Sequence, residues 1–214
     1  MEKIVFLGGG GHFGSVYDSL DRRQYSDVVL LDQPHRLGEI IYGVPVVGSD
    51  EDLDKLYIQG FRCAFISVGS VGGSSIRKSL YERAQRVGYS FPCIVDSTAI
   101  VSRQGTNISG GVFIGKGTIV NIGASIGACS IINSGAIIEH DCKIGEFVHI
   151  APGVHLSGNV TVGNHTHIGT GSSVIQSVAI GNDTIIGAGS VVVDDIESGV
   201  TAVGSPCRPR YHQM

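Results

Sequence analysis

Two domains of different class are predicted, an α/β unit followed by a parallel β-helix, and three observations predict them. An apolar strand runs into a glycine loop near the amino terminus ("IVFLGGGGHFGS", 4–15). An aliphatic residue falls on every sixth position from Ile108 to Val192 without a gap. The 214 residues include 32 glycines and no tryptophan, and only 16% are charged, which favours many tight turns over long solvated helices.

The bulk numbers also exclude functions. Apolar residues make up 42% of the chain, enough for a substantial core. A net charge of −4 argues against general nucleic-acid binding, which shows a basic face or stripe. No apolar run approaches the ~20 residues that span a bilayer. The opening "MEKIVFLGGGG" has too short an apolar stretch for a signal peptide and no small-residue cleavage site after it, so it reads as a first strand. Five cysteines (Cys63, Cys93, Cys129, Cys142, Cys207) are scattered without a CxxC pair. That is neither a disulfide framework nor a zinc spacing, and reduced structural cysteines in the cytoplasm are expected.

The first domain is placed at residues 1–92. Gly9 to Gly14 satisfy GxGxxG, and Asp32 closes a second apolar strand ("DVVLLD") about twenty residues on, the form of a dinucleotide fingerprint. A third strand, "CAFISVGS", carries Gly69, and Ser74–Val87 reads as an amphipathic helix. The result is a small Rossmann-like βαβαβ unit with its ligand expected at the strand carboxyl ends. A complete dinucleotide fold needs two such halves, and one fits before the repeats begin. A mononucleotide or nucleotide-sugar site is therefore preferred to NAD, with phosphate on the glycine amides and helix amino terminus. The bland alternative is a glycine turn with no ligand.

The second domain is placed at 93–207, with a basic tail at 208–214. Four residues after each aliphatic rung, up to Ser190, stands a small or β-branched residue such as Thr118, Ala124, Ser130 or Cys142. Neither helix nor ordinary strand repeats every six residues. Hexapeptide repeats build parallel β-helices, each repeat forming one flat side of a triangular prism, with glycine or asparagine at the corners. An irregular first coil is expected near Ile94–Ser102, where the register slips.

Five of the eight histidines lie between 140 and 167. His149 and His167 are eighteen residues apart, hence one coil apart in one column. A zinc site needs a third ligand, and Ile185 follows in that column, so no metal is expected. His140 lies two residues past its rung, between Glu139 and Asp141. An imidazole, with an ordinary pKa of ~6.5, suits a general base near neutral pH, and a carboxylate on its other nitrogen fixes the tautomer. A solvent-facing histidine is the alternative.

The ladder and the closing "VGSPCRP" (203–209) resemble the hexapeptide acyltransferases, whose fold is a left-handed parallel β-helix. Fused behind a strand–glycine loop–helix unit, they resemble bacterial sugar acyltransferases of the PglD/NeuD type over nearly the whole chain. The resemblance implies a cytoplasmic homotrimer that binds acetyl-CoA between neighbouring prisms and holds a nucleotide sugar on the first domain. It places substrate contacts at Gly10, Gly11, His12, Asp32, Gln33 and Gly69. "EHDCKIGEFVHI" is similar to the family's catalytic stretch, which makes His140 the base and Asp141 its partner where the family has Glu. His149 falls at the thioester, with Gly158, Thr170 and Ala188 along the pantetheine groove. Arg208 and Arg210 are candidate 3′-phosphate contacts.

The expected reaction is N-acetylation of a UDP-linked 4-amino-dideoxy sugar for a surface glycan, by direct attack on acetyl-CoA. The nearest alternative is O-acetylation of sialic acid or another sugar. A γ-type carbonic anhydrase would require zinc, and a non-catalytic nucleotide-binding trimer would be indifferent to loss of His140.

Overall fold

The computed structural model describes residues 1–70 and 73–210. It divides into two compact units, one comprising Met1–Ser70 and Ser75–Ile94, the other running on from Val95 and taking in Ser74.

In the first unit β1 (Glu2–Leu7), α1 (Gly11–Asp18), β2 (Tyr25–Leu31), β3 (Ile40–Ile41), β4 (Val44–Gly48), α2 (Leu53–Ile58), β5 (Cys63–Ile66) and α3 (Ser75–Val87) follow in order. The sheet order is β3-β4-β2-β1-β5. β1 lies parallel to β2 and β5, β2 parallel to β4, and β3 antiparallel to β4. Ile4–Leu7 and Cys63–Ile66 are buried throughout, as continuous apolar runs should be in parallel strands covered on both faces. The chain crosses to the other side of β1 after β4, so the switch point lies between β1 and β5. The expected βαβαβ core is present as β1, α1, β2, α2 and β5, with a β3–β4 hairpin added. Tyr42 and Gly43 turn that hairpin with φ of 50° and 83°, the left-handed pair that matches strand twist.

The second unit is a parallel β-helix. Its short strands form sheets of six, five and eight strands among the described residues. Through the regular coils a residue pairs with the one eighteen places on, as Ile119 with Ile137 and His149 with His167, shortening to sixteen where Ile185 meets Thr201. Ile100 pairs instead with Ile119, one residue out of step, at the expected irregular coil. The rungs from Ile114 to Val192 and the small residues between them are buried. Buried hydroxyls do not go unpaired: Thr118, Ser130, Thr166 and Ser172 donate to the carbonyls of Asn133, Gly145, Gly181 and Gly187, as burial of a polar group requires. One corner is turned by left-handed glycines only (Gly117, Gly135, Gly153, Gly171, Gly189); a second uses Gly123, Asp141, Asn159 and Ser177. At the far end Thr201–Val203 and Arg208–Pro209 pair antiparallel, folding "VGSPCRP" back on itself.

Candidate active site

His140 follows the strand Ile137–Ile138 and Asp141 turns the corner with φ of 60°, a conformation that aspartate tolerates better than longer side chains. The turn folds the carboxylate onto the ring: His140 Nδ1 donates to Asp141 Oδ2 at 3.0 Å. Glu139 is engaged elsewhere, accepting from the backbone N–H of His140 at 3.4 Å. Asp141 is thus the carboxylate on the imidazole, one methylene shorter than the family's Glu and still within reach. Both side chains are exposed, 56% and 64%. Gly158, one coil on in the same column, is buried. A Cβ there would lie 2.6 Å from His140 Cε1 and closer still to Nε2, so the glycine leaves the ring nitrogen opposite Asp141 its space.

Cys142 is the nearest thiol. It points into the prism and donates to the Ser157 carbonyl at 3.2 Å, and burial pushes its pKa up. A buried, protonated thiol is no nucleophile.

His149 is buried in the strand His149–Ile150. Its Nε2 lies 3.3 Å from Asn133 Nδ2. The His167 ring packs edge-on against it, with centroids 4.9 Å apart at 75°. Burial lowers the pKa of His167, and its Nδ1 is buried without a hydrogen-bond partner among the described residues. Thr170 and Ala188 are exposed and stack one coil apart in another column. The structure therefore gathers the expected residues into three places: His140 with Asp141 and Gly158, His149 on His167, and Thr170 below Ala188. Nine residues, half a coil, separate His149 from His140.

In the first unit the glycine loop is braced by one carboxylate. Asp32 Oδ2 accepts from the Gly9 N–H and from Arg36 Nη1, each at 2.7 Å, and Oδ1 accepts from the Gln33 N–H at 2.7 Å. Arg36 also binds Glu39 at 2.9 Å; Glu39 first, with Asp32, holds its pKa above the ordinary value. Asp32 is thereby committed to shaping the loop. Gly10 and Gly11, at the start of α1, face open space: nothing lies within 4 Å of where a Cβ would stand. A Cβ on Gly69 would sit 3.3 Å from that of His12, which places those two expected residues side by side. Beyond the loop, at the strand carboxyl ends, Asp32 and Gln33 line a cavity of about 420 Å³.

Ser49, Asp50 and Glu51 after β4, and Ile76 and Leu80 of α3, line it too, and sequence reasoning missed them. The available signal was "SDED" (49–52), which forms a capping box between Ser49 and Asp52. Among the described residues no group of three or more His, Cys, Asp or Glu side chains is placed to hold a metal ion, and no helix is long and apolar enough to cross a membrane.

Comparison with known proteins bears on the family and the fold. The PglD N-terminal domain family matches residues 3–84, and the bacterial transferase hexapeptide family (six repeats) matches 141–176. The crystal structure of PerB from Caulobacter crescentus in complex with CoA and GDP-perosamine is 35% identical with a TM-score of 0.91, over 99% of this chain and 98% of that one. The chain belongs to the PglD-type hexapeptide sugar acetyltransferases. Two further solved structures match it to a similar degree. An asparagine-for-histidine variant of perosamine N-acetyltransferase from Caulobacter crescentus is 34% identical with a TM-score of 0.92, over the same shares of the two chains. The acetyltransferase domain of PglB from Neisseria gonorrhoeae, in complex with acetyl coenzyme A, is 33% identical with a TM-score of 0.89, over 98% of this chain and 99% of that one. Membership makes the chain an acyltransferase with the fold that its sequence predicts.

Proposed function

We propose that this chain transfers the acetyl group of acetyl-CoA to the 4-amino group of a nucleotide-diphosphate-linked dideoxy sugar, with His140 as general base. The observation that carries the reading is the His140–Asp141 hydrogen bond at 3.0 Å, which leaves Nε2 facing the space that Gly158 clears. With Nδ1–H held by the carboxylate, Nε2 is the free lone pair.

Nε2 takes a proton as the sugar amine attacks the thioester carbonyl carbon. The tetrahedral intermediate collapses with cleavage of the C–S bond, and the imidazolium returns the proton to the departing thiolate. The products are CoA and an acetamido sugar, with no acyl-enzyme. Gly10, Gly11 and the amino terminus of α1 would hold the diphosphate, with His12 and Gly69 beside them. His149, with Thr170 and Ala188 beyond it, would line the cofactor groove. The complexes of the Caulobacter enzyme with CoA and GDP-perosamine and of the Neisseria domain with acetyl coenzyme A support both ligands here. UDP, which the resemblance implies, and GDP share the diphosphate and differ in the base.

The test is CoA release, followed with a thiol reagent, on wild type and His140→Ala. Acetyl-CoA would be supplied with UDP- and GDP-linked 4-amino-4,6-dideoxy sugars and with free sialic acid. Turnover on a nucleotide amino sugar that falls ~10²–10⁴-fold in the variant is the expected result. Acetylation of sialic acid alone would replace the proposed acceptor, and undiminished turnover in the variant would remove His140 from the mechanism.

A further inference from the structure

The cavity at the carboxyl edge of the first unit has a chemistry of its own. Part of its wall is apolar: Leu7 and Leu31 end the two central strands, Val68 follows β5, and Ile76 and Leu80 come from α3, with Gln33, Ser49 and Ser79 among its polar groups. Its volume of about 420 Å³ is within the range of small-ligand sites, and such walls suit a flat heteroaromatic ring. Among the described residues no lysine, arginine or histidine lines it, so it is a poor place for phosphate. The ionic groups that reach it are carboxylates, and carboxylates only accept hydrogen bonds at neutral pH.

The three carboxylates are not equivalent. Asp32 has both oxygens occupied by Gly9, Arg36 and Gln33. Asp50 is anchored through Oδ2 to Arg83 at 2.8 Å. Glu51 is exposed and its backbone N–H is tied to Ser49 Oγ at 3.4 Å, so the residue is fixed at the cavity while its carboxylate keeps accepting capacity.

A carboxylate discriminates among bases by the donors that they present side by side. Guanine offers N1–H next to N2–H₂, two adjacent donors that one carboxylate takes together. Uracil offers a single N3–H between two carbonyl oxygens, which a carboxylate repels. Cytosine and adenine each set their amino group beside an unprotonated ring nitrogen. Resting on the nucleotide-sugar reading above, we propose that this cavity is the nucleobase site and that Glu51, beside the anchored Asp50, selects guanine. The substrate is then a GDP-linked amino sugar rather than the UDP-linked one that the family resemblance implies.

Calorimetric titration of the full chain with GDP, IDP and UDP tests this. IDP keeps N1–H and lacks the 2-amino group, so it removes one of the two donors without touching the protein. GDP is expected to bind about tenfold or more tighter than IDP or UDP, and Glu51→Gln, with an unchanged melting temperature, to lose most of that preference while UDP affinity stays. UDP binding as tightly as GDP, or Glu51→Gln weakening all three equally, would overturn the guanine assignment and leave the nucleotide-sugar reading standing. Absence of binding by all three nucleotides would overturn both.

Discussion

At the scale of single residues, the proposed role of His140 as base rests on Asp141. It is a left-handed corner residue whose carboxylate meets the imidazole at 3.0 Å, so one position does two jobs. Gly158 complements it from the next coil, where a Cβ would overlap the ring. Asp141→Asn keeps the size and the corner but removes the charge that stabilises the imidazolium. Its kcat is expected to fall on the order of tenfold, below the ~10²–10⁴ at stake for the base itself, with KM for acetyl-CoA little changed. Asp141→Glu should retain most activity, since the longer carboxylate can reach the same nitrogen. Steady-state kinetics on the three proteins checks this, and an Asn variant with wild-type kcat would make the contact incidental.

At the scale of elements, legibility followed repetition. The prism was readable because each six-residue side buries one aliphatic and one small residue, so fifteen consecutive rungs report the same geometry. The hairpin Ile40–Gly48 and the helix Leu53–Ile58 were not. Pro45 breaks the strand signature, and six residues of helix hold too little periodicity. Ser49–Glu51, at the junction of those two elements, share that weak signal, and with them one wall of the cavity.

The column of strands that carries His149 and His167 is equally regular and has a cost of its own. Burial lowers the pKa of His167, so between that depressed value and the ordinary ~6.5 the unfolded chain binds a proton that the folded one refuses. The stability tied to His167 is therefore complete above about pH 6.5 and is lost as pH falls through and below that value. Thermal melts at pH 7.5 and pH 5.5 should show a smaller drop for His167→Gln than for wild type. An equal drop would mean that His167 is protonated in the fold without penalty.

At the scale of the molecule, a prism is rigid. Its coils are locked by hydrogen bonds that run the length of each sheet, and it cannot bend one corner to another. His140 and Gly158 share one column, while Thr170 and Ala188 share another on a different corner. If both belong to one site, as proposed, two copies of the chain must supply them. Ile122, one coil before His140 and 48% exposed, gives that corner an apolar surface for a neighbour to cover. The expected assembly is a homotrimer, with a light-scattering mass three times 22.4 kDa.

A stronger test separates shared sites from mere association. His140→Ala lacks the proposed base, and Ala188→Trp would obstruct the proposed groove, so each variant alone should be inactive. In mixed trimers of the two, some interfaces pair an intact His140 from one chain with an intact groove from another. Those sites should restore a fraction of wild-type activity that neither parent shows. Mixed trimers as dead as their parents would confine each site to a single chain, and the half-coil separation of His140 from His149 would then need another explanation.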